Sequence, residues 1–206
     1  MNSDLKQSTP FDFSKDPFEN FQALYSIAEK IVVKDSNAMA LATVDELGQP
    51  SLRTVLFKGL VRNGFSFYTN YSSQKAQQLA RNQKASLLFF WATLEQQVRL
   101  EGLVQKMTDA ESDQYFATRP RISQLGAWAS SQSQKISGPE ELANNLKKIE
   151  HKFSGQTVSR PPHWGGFILV PNMMEFWFGQ KGRLHDRFVY ERASDALNWV
   201  RSMKSP

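Results

Sequence analysis

The chain of 206 residues contains no cysteine, which excludes disulfides, zinc–thiolate sites, iron–sulfur clusters and thiol nucleophiles. Its three histidines, His151, His163 and His185, are scattered, so a histidine-rich metal site is not expected. Apolar runs stop well short of the roughly 20 residues that span a bilayer. The opening stretch MNSDLKQSTPFDF lacks the apolar core of a signal peptide. Walker P-loop and GxGxxG fingerprints are missing, which removes the usual nucleotide-binding sheets. Internal repeats and low-complexity tracts are missing too. What remains is an ordinary globular balance, 40% hydrophobic and 22% charged residues, and the expectation of a cytoplasmic protein without membrane or metal.

Lys and Arg number 25 against 20 Asp and Glu, a net charge of +5. Such an excess suits an anionic partner, whether nucleic acid, acidic lipid or a phosphorylated small molecule. An ordinary solvated surface would carry it equally well. Only placement can decide.

Residues 1–15 are polar and rich in Ser and Pro, and are read as a mobile arm before a single domain at 16–206. Asp16 offers a helix cap with Pro17 at the first helical position. Phe18, Phe21, Leu24, Tyr25, Ala28 and Ile31 follow at helical spacing. Strand texture begins at 38–44 and continues over 52–61, with Arg62-Asn63-Gly64 as a hairpin signal before 65–70. A short helix is predicted over 72–82. The run 85–107 is too long for one flat strand and predicts a bend or hairpin. Thr108 caps a helix up to Arg119-Pro120, ISQLGAWAS continues helical, and 138–153 is an amphipathic helix. GGFILV, MEFWFG and DRFVYERA read as two or three closing strands. No βαβ repeat appears, so the class is α+β, mainly antiparallel β, built on a barrel or curled sheet with flanking helices.

Two motifs are set aside. Ser72-Ser73-Gln74-Lys75 matches SxxK, but the companion SDN and KTG elements of serine acyltransferases are absent. The segment 62–68 loosely matches an RNA-recognition strand, yet Asn63 breaks the spacing and alternating Phe65 and Phe67 read as core.

Three clusters carry chemistry. Arg53 and Lys58 flank an apolar strand, and Tyr68-Thr69-Asn70 runs into a helix start with Lys75 in its first turn. A cation there opposes the helix dipole unless an anion sits beside it; a capped surface helix is the alternative. Tyr115 and Arg119 share a helical face, with Ser123 beyond the Pro120 break. Phenol, guanidinium and hydroxyl all donate to phosphate oxygens, although Tyr and Arg are also common on solvated helices. The third cluster is Glu175-Phe176-Trp177, a gap, then Arg183-Leu184-His185-Asp186-Arg187. On a strand, Arg183, His185 and Arg187 would share one face. They would need an anionic partner, or neutralisation by Asp186 and Glu175.

Glu-Phe-Trp followed by Arg-Leu-His-Asp-Arg at this spacing resembles the signature of pyridoxine/pyridoxamine 5′-phosphate oxidases. RTVLFK, FYTN…SxK, SLLFFW…LEQQV, YFATRPRISQLGAW, SSQSQ and WGGF extend the resemblance from Asp16 to about Tyr190. The resemblance implies a homodimeric FMN-binding split β-barrel with each flavin at the subunit interface. It places Arg53, Thr54, Val55, Leu56, Phe57 and Lys58 along FMN, with Arg53 on the phosphate. Tyr68, Thr69, Lys75, Gln97, Gln132 and Ser133 match further FMN contacts, and Trp177 and Arg187 match residues near the ring system. Lys58, Tyr115, Arg119 and Ser123 match the grip on the substrate phosphate. Arg183 and His185 match residues that cover the pyridine ring and are the catalytic candidates. The implied reaction oxidises C4′ of pyridoxamine or pyridoxine 5′-phosphate to pyridoxal 5′-phosphate, with dioxygen as acceptor and hydrogen peroxide as product.

The chain departs from the family pattern in having Gln74 before Lys75, Phe178 after Trp177, no Arg-x-x-Tyr in the amino-terminal arm, and a less apolar carboxyl end. Three other readings stand beside the first: an FMN oxidase of another substrate such as a phenazine precursor, a non-catalytic FMN or pyridoxal phosphate carrier, and a nucleic-acid-binding barrel.

Overall fold

The computed structural model describes residues 10–32, 34–192 and 198–206. Helix α1 (Pro17–Ile31) starts where the cap signal places it, with the Asp16 carboxylate accepting from the Phe18 amide. Its apolar stripe, Phe21, Leu24 and Ala28, is at most 1% exposed. Phe21 meets Phe57, Phe65 and Phe89 at ring distances of 4.7 to 5.4 Å. Burying one such side chain contributes about 1.5–3 kcal/mol, so the stripe fastens the helix to the sheet.

The sheet is antiparallel throughout. Its order runs β2 (Pro50–Leu56), β1 (Ala38–Val44), β5 (Lys84–Trp91), β6 (Gln96–Lys106), β7 (Trp164–Phe178), β4 (Gly64–Asn70) and β3 (Leu60–Val61). Beyond Leu56 the chain turns toward β4. The Lys58 amide donates to the Ser66 carbonyl at 2.9 Å, and the Ser66 amide donates to the Gly59 carbonyl at 3.0 Å. Those bonds join the two ends of the strand order and close the sheet on itself. The stretch expected as one strand over 52–61 is therefore two, broken at Gly59, whose φ of +114° an L side chain rarely adopts. Arg62 and Asn63 form the hairpin turn with φ of 50° and 54°, the primed geometry that matches strand twist.

Of the two or three closing strands expected, GGFILV and MEFWFG lie on one strand of 15 residues, β7. Its first half pairs with β4 and its second with β8 (Asp186–Glu191), while β6 runs along the other edge of both halves. The β6–β7 register shifts between Glu101 and Gly102, which face Met173 and Pro171, so Asn172 is an extra, bulged residue on β7. Gly102 is required there, because a Cβ would lie 2.1 Å from the Val170 carbonyl oxygen. Strand β9 (Val200–Met203) adds to β8 and was not legible from periodicity.

Helices α2 (Gln74–Arg81), α3 (Asp109–Thr118), α4 (Arg121–Ala129) and α5 (Pro139–Lys152) lie outside the sheet. Thr108 and Glu111 form a full capping box on α3. A second core of Phe116, Leu125, Phe153, Val158 and Trp164 lies under α3 to α5. Of the expected mobile arm, residues 1–9 lie outside the described residues, and residues 11–13 are docked. Phe11 and Phe13 pack on Phe188 at 4.8 and 5.0 Å. Among the described residues no helix is long and apolar enough to cross a membrane, and no group of three or more potential metal ligands occurs.

Candidate active site

A cavity of about 880 Å³ opens between the β2 edge, the end of β4, the start of α2, and the α3–α4 corner. It brings the first two clusters together. Arg53, Thr54, Val55, Leu56, Lys58, Tyr68, Thr69, Lys75, Tyr115, Arg119, Ser123 and Gln132 all line it. Four of these are cations, Arg53, Lys58, Lys75 and Arg119, and no lining residue is acidic.

Strand β2 pairs with β1 on one edge, and its other edge has no strand partner among the described residues. Backbone from Arg53 to Leu56 therefore faces the cavity directly. The Arg53 guanidinium is held from behind. Its Nη1 donates to the carbonyls of Leu41 at 3.1 Å and Ser51 at 3.0 Å, and to Thr43 Oγ1. Thr43 Oγ1 donates on to Gln78 Oε1 at 2.6 Å, and Gln78 Nε2 donates to Ser51 Oγ at 3.1 Å. Burial lowers the Arg53 pKa.

Lys75 is only 8% exposed. Its ammonium donates to Gln132 Oε1 at 2.8 Å, Thr69 Oγ1 at 3.1 Å and Ser73 Oγ at 3.3 Å. All three acceptors are neutral. Burial, and then the charge of Arg53, pull its pKa from 10.5 to about 8. A buried, unneutralised ammonium beside a guanidinium is costly without an anion.

At the other end of the cavity, Tyr115 stacks on Tyr68 with ring centroids 3.8 Å apart. Arg119 follows at the end of α3, and Ser123 sits in the first turn of α4. Arg119 Nη1 is buried without a hydrogen-bond partner. An orphaned donor at the cavity wall is what an incoming phosphate oxygen would satisfy.

The structure corrects several expectations. The Phe57 side chain, just past the end of β2, packs into the core, 6% exposed against Phe21, Tyr25, Phe65 and Phe89; it does not line the cavity. Ser133 lies one residue beyond Gln132 at φ 68° and does not line it either. Arg183, His185 and Arg187 do not form one strand face, because Gly182 and Arg183 take φ of 68° and 62° in a short 3-10 turn. Strand β8 begins at Asp186, where the expected strand DRFVYERA starts, so Arg183 and His185 precede it. Arg183 is exposed. His185 packs on Trp177 with rings 4.6 Å apart, and its Nδ1 accepts from the Gln180 amide at 3.0 Å. With Nδ1 accepting that bond, the ring hydrogen sits on Nε2. Arg187 is paired rather than free, with Nη2 donating to Glu175 Oε2 at 2.8 Å. Burial alone would raise the Glu175 carboxyl, but hydrogen bonds from Arg187 and Arg99 hold it below the usual range. Asp186 takes no part in that neutralisation and accepts instead from Gln180 Nε2.

Within one chain this third cluster is therefore apart from the cavity. Gln97, Trp177 and Arg187 form one cross-strand row over β6, β7 and β8, and Phe90 lies opposite Gln97. The same outer sheet face carries Leu52, Leu56 and Phe90, which are 72%, 42% and 60% exposed. Trp164 and Gln78 are among the lining or supporting residues missed in the sequence. Trp164 sits in the WGGF segment without an assigned role, and Gln78 is a polar residue on the buried side of α2.

Comparison with known proteins bears on this arrangement. Residues 28–153 match the pyridoxamine 5′-phosphate oxidase family, and residues 164–206 match the pyridoxine 5′-phosphate oxidase C-terminal dimerisation region. The chain is 46% identical over 196 residues to a pyridoxine/pyridoxamine 5′-phosphate oxidase of Bdellovibrio bacteriovorus, covering 95% of this chain and 100% of that one. It is 49% identical over 189 residues to the oxidase of the same name from Burkholderia thailandensis, covering 91% and 88%. Among solved structures, PhzG from Burkholderia lata 383 in complex with tetrahydrophenazine-1-carboxylic acid superposes with a TM-score of 0.86 at 26% identity, covering 100% and 98%. An FMN-binding protein of Nostoc punctiforme related to pyridoxamine 5′-phosphate oxidase shares the fold, with a TM-score of 0.74 at 18% identity, covering 93% and 99%. The matched dimerisation region spans β7 to β9, the part of the chain that carries the third cluster. With both halves of the family pattern present and nearly half of all positions identical, the chain belongs to the pyridoxine/pyridoxamine 5′-phosphate oxidase family.

Proposed function

We propose that this enzyme binds FMN and oxidises pyridoxamine 5′-phosphate and pyridoxine 5′-phosphate at C4′ to pyridoxal 5′-phosphate, releasing hydrogen peroxide, and ammonia from the amine. The observation that carries the reading is the cavity with four cations and no carboxylate, which suits two phosphate-bearing ligands. Bound FMN would supply the two-electron acceptor and pass those electrons to dioxygen.

The residues present fit that cofactor. Arg53 and Lys75, with Thr69 and Gln132 beside them, form a donor set for one phosphate. Thr54, Val55, Leu56 and Tyr68 line the wall between it and the second grip. There Lys58, Tyr115, Arg119 and Ser123 would hold the substrate phosphate. The oxidation itself asks the protein mainly for orientation and charge placement.

In this reading the third cluster serves the second subunit. The outer face with exposed Leu52, Leu56 and Phe90 is continuous with Gln97, Trp177 and Arg187, so pairing two copies across it would bury the apolar patch. Gln97, Trp177 and Arg187 would then reach the flavin, and Arg183 and His185 the substrate ring. The Nε2–H of His185 is the group available to donate toward the C4′ substituent, and exposed Arg183 supplies positive charge beside it.

The resemblance to PhzG is weaker in sequence, 26% against 46–49% for the curated oxidases, and the complete phosphate grip favours a phosphorylated vitamin. A peroxide assay on FMN-loaded protein with pyridoxamine 5′-phosphate beside unphosphorylated pyridoxamine tests the proposal. Much higher kcat/KM for the phosphorylated amine than for the unphosphorylated one is expected; no peroxide from either would overturn it.

A further inference from the structure

We propose that Trp164 is a positioning residue for phosphate selectivity, its indole face holding the Arg119 guanidinium toward the cavity without neutralising it. The proposal rests on the assignment of Arg119 to the substrate phosphate. Arg119 Cζ lies 4.5 Å from the Trp164 ring centroid and 5.5 Å from that of Phe116. No ion pair to Arg119 exists among the described residues, and its Nη1 is buried and unpartnered. A guanidinium is commonly oriented by a bidentate carboxylate, which would cancel the charge a phosphate needs. An aromatic face orients it through the ring quadrupole and leaves its N–H groups free.

Trp164 is itself immobilised. It is 7% exposed, stacked on Tyr68 at 5.4 Å with an interplanar angle of 11°, and edge-on to Phe116 at 5.2 Å. Its ring plane lies within 6° of that of Tyr115 at 6.3 Å. Its carbonyl accepts from Arg160 Nη1 at 2.6 Å, while Arg160 is in turn held by Asp109 and Asp113 of α3. The same rigid stack thus sets Tyr115 and Arg119 together, two of the four residues assigned to the phosphate.

The test compares pyridoxamine 5′-phosphate with unphosphorylated pyridoxamine on FMN-loaded wild type, Trp164→Leu, Trp164→Phe and Arg119→Ala. Trp164→Leu should raise KM for the phosphorylated amine roughly 5- to 30-fold, the strength of a desolvated cation–π contact, and shrink the kcat/KM ratio between the two amines by a similar factor. The dissociation constant of pyridoxal 5′-phosphate, by equilibrium dialysis, should rise in parallel. Trp164→Phe, which retains an aromatic face, should recover most of the loss, and it decides the matter if the Leu variant loses its FMN. Wild-type KM in both variants, or equal losses on both amines, would overturn the proposal. If wild type and Arg119→Ala already treat the two amines alike, the phosphate assignment itself fails, a result distinct from a failure of Trp164 alone.

Discussion

Lys75 and Gln132 meet at 2.8 Å, an ammonium donating to a carboxamide oxygen, and that pairing leaves the lysine charge uncancelled. The pKa near 8 follows from burial and the neighbouring Arg53, and it makes cofactor binding a proton-linked event. In the unfolded chain Lys75 holds its proton up to about its ordinary 10.5. Between about pH 8 and 10.5 the unfolded state therefore binds more protons, so this group makes the FMN-free protein more stable as pH rises through that window. A phosphate favours the charged ammonium, so FMN uptake above pH 8 should absorb a proton and weaken by up to about tenfold per pH unit. Titrations by flavin fluorescence from pH 7 to 9.5 should show this decline in wild type and a flatter profile in Lys75→Arg. A flat wild-type profile would remove the linkage.

Gln78 braces Arg53 through Thr43 with neutral groups only. Gln78→Glu keeps size and reach but sets a carboxylate beside the guanidinium, where it would compete with the flavin phosphate. FMN affinity should fall about tenfold or more, on a charged hydrogen bond of about 1.5–3 kcal/mol. Wild-type affinity in Gln78→Glu would mean that Arg53 does not meet the phosphate.

Arg119 and Arg183 should fail in different ways. A contact on the remote phosphate is equally strong in ground and transition states, so Arg119→Ala should raise KM roughly 10- to 100-fold with a smaller change in kcat. Arg183 is assigned near C4′, where charge shifts as the bond breaks, so Arg183→Ala should depress kcat at saturating substrate. Both should retain FMN. Steady-state constants and flavin content on the two purified variants separate these outcomes, and an unchanged KM in Arg119→Ala contradicts the phosphate grip.

Phe90 is 60% exposed on the sheet face proposed for dimer contact. Phe90→Asp costs the isolated subunit little but places an unpaired charge in the interface. Sedimentation should show a larger monomer fraction, with FMN lost in step because cofactor and association are linked. A tight FMN-bound monomer would contradict a shared site.

Much of this was legible from pattern. β1 falls on the expected residues 38–44 because its burial alternates along the strand, and α1 and α3 begin at the caps their side chains announce. The cavity residues were reachable through motif resemblance, since only tertiary closure brings 53, 75, 115 and 132 to one place. What periodicity hid has physical reasons. β7 carries Pro171 in mid-run, yet the strand continues because a bulge at Asn172, opposite the Glu101–Gly102 step of β6, absorbs the irregularity. β9 has four exposed residues and hence no alternation to read. Arg183 and Arg187 would have shared a face only on a strand, and the left-handed turn at Gly182 and Arg183, which no periodicity marks, removes that condition.

The 15-residue β7 starts at the Arg119 platform and ends beside the Arg183 turn, so each polypeptide would own half of two different reaction chambers. Mutual rescue then becomes arithmetic. When subunits carrying Arg119→Ala are exchanged with subunits carrying Arg183→Ala, every mixed pair gathers both lesions into one chamber and leaves the other intact. Random exchange makes half the pairs mixed, so about a quarter of all chambers should regain wild-type turnover, from two parents that are each impaired.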